Sequence, residues 1–135
     1  MNNKQIIKDF FNSSFYKNSS DLEKYLHPEV EFFWNSTIGF LHLDFDKFKS
    51  KVKEMGKSYN NLVCEFTHLI AENNQVSARF TYFADIIENP GTEIPLAHFM
   101  VMAEIKEEKI HKMYIISQLD DDSPENMTSF FSKNE

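Results

Sequence analysis

Five histidines, one cysteine and one arginine are the scarce reactive side chains of this chain of 135 residues. His27, His42, His68, His98 and His111 form no His-x-His or His-x-x-x-His pair, and Cys64 has no second cysteine, so no metal site is expected. The chain has only 3 Gly and carries no Gly-x-Ser-x-Gly, phosphate loop or dinucleotide fingerprint, so no cofactor is expected either. Tyr82, His98 and His111 remain as candidates to move a proton, and Ser117 as one to hold a ligand oxygen. Each also has a plainer reading. Tyr82 shares an alternating row with Phe80 and fits a core tyrosine with its hydroxyl bonded. His111 sits near a hairpin end and fits a surface histidine, His98 fits an interface side chain, and Ser117 fits a strand end. Cys64, in an alternating strand, reads as a buried inert thiol.

The elements that must position these groups come from one well-filled core. The hydrophobic fraction is 41% and the aromatic fraction 15%, with 14 Phe, which suits one domain over residues 1–122. Residues 123–135 read as a tail, with Ser123-Pro124-Glu125 as a helix start and Met127, Phe130 and Phe131 as docking side chains. A net charge of -7 and the single Arg79 argue against nucleic acid. The lysines at 47, 49, 51, 53 and 57 read as the solvated face of a helix. The longest apolar run, Ile94 to Ala103, is too short to cross a membrane. One unpaired cysteine and no hydrophobic leader make the cytoplasm the expectation.

Ile6, Ile7, Phe10, Phe11 and Phe15 recur at helical spacing, predicting a helix from Lys4 to Tyr16. Ser20 with Glu23 reads as a capping box for a short second helix that stops before Pro28. Val30 to Trp34 is strand-like, and Ile38 to Leu43 is ambiguous. Asp44 caps a third helix bearing Phe45, Phe48, Val52 and Met55, and Gly56 reads as its left-handed stop. From Asn61 the period becomes two: Leu62 to Glu72 and Gln75 to Glu88 flank an Asn73-Asn74 turn, and Leu96 to Lys106 and Lys109 to Leu119 form a last hairpin. Helices followed by long strands give an α+β class.

Four stretches sharpen this. They are Asp21 to Val30, Phe48 to Met55, Leu69 to Thr81 and Ile105 to Tyr114. Together they make the chain resemble, over Ile6 to Leu119, the SnoaL-like branch of the nuclear-transport-factor-2-like superfamily. The resemblance implies a cone-shaped roll, with N-terminal helices packed on a strongly curved, mainly antiparallel sheet. It implies cyclase, isomerase or dehydratase chemistry in some members and noncatalytic pockets in others. It also implies Asp, Glu or His in the cone of its enzymes. This chain carries Trp34 and then Asn35 at the end of the first strand, and Val101 and Ile115 at inward positions of the last two.

In the last hairpin two registers compete. A two-residue turn would set Ala103 against Lys112, whereas a three-residue turn at Glu107 to Lys109 sets Glu104 against Lys112 and is preferred for its opposite charges. Phe99, Val101, Ala103, Ile105, His111, Met113, Ile115 and Ser117 then point inward. His98, Met100, Met102, Tyr114, Ile116 and Gln118 point outward, and an apolar second face implies a cover. The resemblance implies that this face packs against a partner's sheet, so the expectation is a homodimer through Arg79, His98, Met100, Met102, Tyr114 and Ile116. The functional expectation is binding of an apolar or aromatic small molecule in a cone lined by Phe11, Phe15, Trp34, Phe48, Val52, Phe80, Tyr82, Phe99, Val101, Met113, Ile115 and Ser117. The alternatives are an acid–base enzyme of the cyclase, isomerase or dehydratase kind, and a noncatalytic interaction module with a filled cone.

Overall fold

A computed structural model describes residues 2–87, 91, 93–119, 125 and 129. The expected tail helix and most of the loop after the second long strand lie outside these residues. Among the described residues three helices, α1 (Asn3–Asn12), α2 (Ser19–Tyr25) and α3 (Phe45–Met55), pack on a six-stranded sheet. The strands are β1 (Leu26–Ser36), β2 (Gly39–Leu43), β3 (Tyr59–Glu72), β4 (Gln75–Ile86), β5 (Glu93–Lys106) and β6 (Lys109–Leu119). Their order is β2-β1-β6-β5-β4-β3, and every neighbouring pair is antiparallel except β1 with β6. The class is α+β, a curved sheet wrapped around the helices. Among the described residues no helix is long and apolar enough to cross a membrane.

Several local expectations are corrected. Helix α1 ends at Asn12, not Tyr16, because the Ser13 hydroxyl bonds back to the Phe10 carbonyl at 2.6 Å and the chain leaves helical geometry. Phe15 and Tyr16 are buried all the same, and Phe15 stacks on Phe10 with centroids 4.6 Å apart. The α2 cap is Asn18, whose side chain accepts from the Ser20 N–H at 3.1 Å, rather than a Ser20–Glu23 box. Asp44 caps α3 as expected, accepting from the Lys47 N–H at 2.9 Å. Gly56 follows α3 with φ at −62°, in ordinary right-handed geometry. Its role is close approach: a Cβ there would collide with the Tyr16 carbonyl oxygen.

The preferred register of the last hairpin is present, with Glu104 opposite Lys112, but a different device produces it. The turn has two residues, Glu107 (φ 55°) and Glu108 (φ 62°), between the paired Lys106 and Lys109. A bulge between Glu104 and Ile105 then absorbs the extra residue, so Ile105 faces Ile110. As a result Ile110, fully buried, takes the inward place expected for His111, which is only partly buried.

The core lies between the helices and the inner sheet face. Val76, Ala78, Phe80, Tyr82 and Ala84 on β4 are all buried, as the alternation predicts. Phe10, Phe11, Phe15, Phe48, Leu22 and Leu26 close over them from the helical side.

Candidate functional site

Strand pairing arranges the inner face into cross-strand rows. The first joins Phe32, Met113, Ala103 and Val76, all buried. The second joins Trp34, Ile115, Val101 and Ala78. The third joins Ser117, Phe99, Phe80 and Phe66. Trp34, Phe99, Phe66 and Ser117 are only half-buried, so the aromatic lining reaches solvent along the second and third rows. Trp34 Nε1 donates to Ser117 Oγ at 2.8 Å, and the Trp34 and Phe99 centroids are 6.3 Å apart. From α3, Lys51 Nζ stands 5.6 Å from the Trp34 ring centroid, within cation–π range. Sequence reasoning missed Lys51 because a helical lysine run looks solvated until a neighbouring strand is placed beside it.

The remaining expected cone residues meet one another. Phe11 and Phe80 centroids are 4.6 Å apart, Phe80 stacks on Phe99 at 5.2 Å, and Phe32 stacks on Phe48 at 3.9 Å. Phe15 stacks on Phe48 at 6.2 Å, and Val52 and Met113 are buried in the same cluster. The Tyr82 hydroxyl donates to the Phe11 carbonyl at 2.8 Å. Burial, helped by the nearby Cys64 and Tyr16, holds the Tyr82 phenol well above its ordinary range. The Cys64 thiol is likewise pushed up by burial. Both groups therefore keep their protons at neutral pH.

His98 and His111 lie apart from the cone lining. His98 Nδ1 and Thr81 Oγ1 are hydrogen-bonded at 2.9 Å, and both residues are buried. His111 meets His27, ring to ring, with centroids 5.1 Å apart. His27 Nδ1 accepts from the Glu29 N–H at 3.0 Å, so the neutral ring carries its proton on Nε2, facing Glu107 Oε1 at 3.3 Å. This histidine pair spans the bulge and the start of β1, a pairing with no signal in residue spacing. Among the described residues no group of three His, Cys, Asp or Glu could hold a metal ion.

The outer face is organised in the same way. One row runs Asn35, Ile116, Met100, Arg79, His68, and the next Phe33, Tyr114, Met102, Ser77, Ile70. A third row, Glu31, Lys112, Glu104, Gln75, Glu72, bounds them with charge. The two inner rows form an apolar groove of about 570 Å³ in which Met100 is 56% and Ile116 66% exposed. His98, expected on the same face, is only 3% exposed.

No family model matches the chain, and no curated protein matches it in sequence. Solved structures do. IdmH, an inferred polyketide cyclase from Streptomyces antibioticus, is similar at TM-score 0.70 and 11% identity, covering 96% of this chain and 97% of its own. The fold is the SnoaL-like, nuclear-transport-factor-2-like roll. An inferred SnoaL-like polyketide cyclase from Shewanella denitrificans follows at TM-score 0.68 and 9% identity, covering 97% of each chain. An inferred polyketide cyclase from Acidithiobacillus ferrooxidans has TM-score 0.64 and 16% identity, over 95% of this chain and 93% of its own. Identities this low carry the roll and not its chemistry. The positions at which the SnoaL resemblance implies acids, Trp34, Val101 and Ile115, stand together in the second inner row, with no ionisable group among them.

Proposed function

We propose that this chain is a noncatalytic binding protein whose cone takes an apolar or aromatic small molecule where Trp34, Phe99 and Ser117 reach solvent, and which pairs with a second copy through its outer sheet face. The observation that carries the ligand reading is the Trp34–Ile115–Val101 row beside Ser117. It offers two half-buried aromatic walls, a hydroxyl to fix orientation and a lysine nearby, the composition of a binding site. A cyclase or isomerase would need a group that releases a proton near neutral pH. The Tyr82 phenol is held protonated on Phe11, and neither His98 nor His111 is part of the cone lining. The exposed Ile70, Met100, Met102, Tyr114 and Ile116 of the outer face support the pairing.

A second reading, an interaction module with a filled cone, is favoured by the close packing of Phe11 against Phe80 and the stacking of Phe80 on Phe99 and of Phe32 on Phe48. Native mass spectrometry of the purified chain separates the two. The binding reading expects a small apolar molecule retained at one per chain and lost in Phe99→Ala. A chain that carries nothing, and gains nothing when offered apolar aromatic compounds, favours the module.

A further inference from the structure

The polar groups beside Trp34 are both donors. Lys51 Nζ, 5.6 Å from the Trp34 ring centroid, is an ammonium and can only donate. Ser117 Oγ already accepts from Trp34 Nε1 at 2.8 Å, and its own hydroxyl proton remains to be given, strengthened as a donor by the bond it accepts. The Tyr82 hydroxyl, by contrast, donates to the Phe11 carbonyl and is out of play. Lys51 is also a cation without a counter-charge. It is half-buried against an aromatic ring, and among the described residues no carboxylate pairs with it. Glu54, one turn along α3, pairs instead with Lys57 at 3.3 Å. Acids are not scarce in this chain, 21 Asp and Glu against 14 Lys and Arg, yet none is set against this lysine among the described residues. Lys47, Lys49 and Lys53 on the same helix add to the positive potential around it.

We infer that the ligand of the cone is an aromatic carboxylate, and that Lys51 selects it by charge while the Ser117 hydroxyl donates to the same carboxylate. The inference rests on the reading that the cone binds an apolar or aromatic small molecule, and names the charge class of that molecule. One ammonium and one hydroxyl match a carboxylate's single charge and two oxygens. A phosphate dianion would leave a charge and an oxygen unmet, and an amine would meet an ammonium head-on. A neutral ligand would desolvate Lys51 and leave it unpaired. The four-carbon lysine stem lets Nζ turn from the Trp34 ring to the carboxylate, and the ligand's own ring then lies between Trp34 and Phe99, whose centroids are 6.3 Å apart and tilted by 45°.

Two probes of one shape, 2-naphthoate and its neutral amide 2-naphthamide, test this by isothermal titration calorimetry on the full chain, Lys51→Met and Lys51→Arg. Methionine keeps the stem and the helix propensity and removes the charge. The expected result is that the wild type binds naphthoate at least about tenfold more tightly than naphthamide. Lys51→Met should lose that preference while still binding naphthamide, and Lys51→Arg should keep it. Added salt gives a second measurement that needs no variant: it should weaken naphthoate binding and leave naphthamide binding unchanged. Equal affinity of the wild type for the two probes overturns the inference and leaves the cone reading standing. A preference that survives in Lys51→Met overturns the role of Lys51. Binding of neither probe, at any salt concentration, overturns the cone reading and the inference with it.

Discussion

The Tyr82 hydroxyl donates to the Phe11 carbonyl across 2.8 Å, tying the middle of β4 to the end of α1 inside the core. The contact joins two elements 71 positions apart and commits the phenol's proton to structure. Tyr82→Phe leaves the ring packing intact and the carbonyl without its donor, a loss of about 1–3 kcal/mol for a buried group. Chemical denaturation should show that loss, while ligand retention at Trp34 stays at the wild-type level. Loss of retention with unchanged stability would instead make the hydroxyl a ligand contact.

Alkali should destabilise the fold earlier than its surface charges alone predict. Burial raises the Cys64 thiol above its ordinary 9.0 and the Tyr82 phenol above its ordinary 10.0. In the unfolded chain both ionise at those ordinary values, while in the folded chain both stay protonated. Their effect is thus absent below about pH 9 for Cys64 and below about pH 10 for Tyr82, and above those values each group lowers stability by about 1.4 kcal/mol per pH unit. Denaturant midpoints measured from pH 8 upward should decline, and Cys64→Ala should make the decline shallower.

Gly56→Ala isolates a steric effect. The φ of −62° suits alanine, so no conformational strain arises, but the added Cβ meets the Tyr16 carbonyl oxygen. The segment around residue 16 must shift, and the expected loss is about 1–3 kcal/mol in thermal or chemical unfolding. A neutral or stabilising Gly56→Ala would contradict the close approach.

The opposite sign is expected at Glu108. Its φ of 62° in a two-residue turn is strained for any residue with a Cβ, and glycine removes that strain. Glu108→Gly should raise stability by about 1 kcal/mol, read as a higher denaturant midpoint, with the Glu104–Lys112 register unchanged by nuclear Overhauser contacts.

Much of this architecture was legible from period alone. Alternation placed Val76, Ala78, Phe80 and Tyr82 on one buried row, and the opposite charges of Glu104 and Lys112 selected the right pairing. What alternation could not carry was how one extra residue is absorbed. A three-residue turn and a two-residue turn with a bulge give the same register up to Glu104, and they differ only in whether Ile110 or His111 enters the core. Helical spacing was misleading at Phe15, which stacks on Phe10 from a non-helical turn. The site residues on β1 and β3, Phe33 and Ile70 among them, became visible only once the parallel β1–β6 pairing and the β3–β4 register lined up the outer rows. Lys51 is the same case on the inner side. Its contact with Trp34 depends on how α3 packs on β1, which no local pattern encodes.

Trp34 is the chain's one tryptophan, and it stands in the proposed ligand site. Its fluorescence, followed while an aromatic sulfonate such as 1-anilinonaphthalene-8-sulfonate is added, tests the binding reading most directly. The account predicts a saturable change at one ligand per chain, weakened at least about tenfold by Phe99→Ala and unaffected by Ile116→Lys on the outer face. A linear, unsaturable response, or one abolished by Ile116→Lys and indifferent to Phe99→Ala, would contradict a ligand site in the cone.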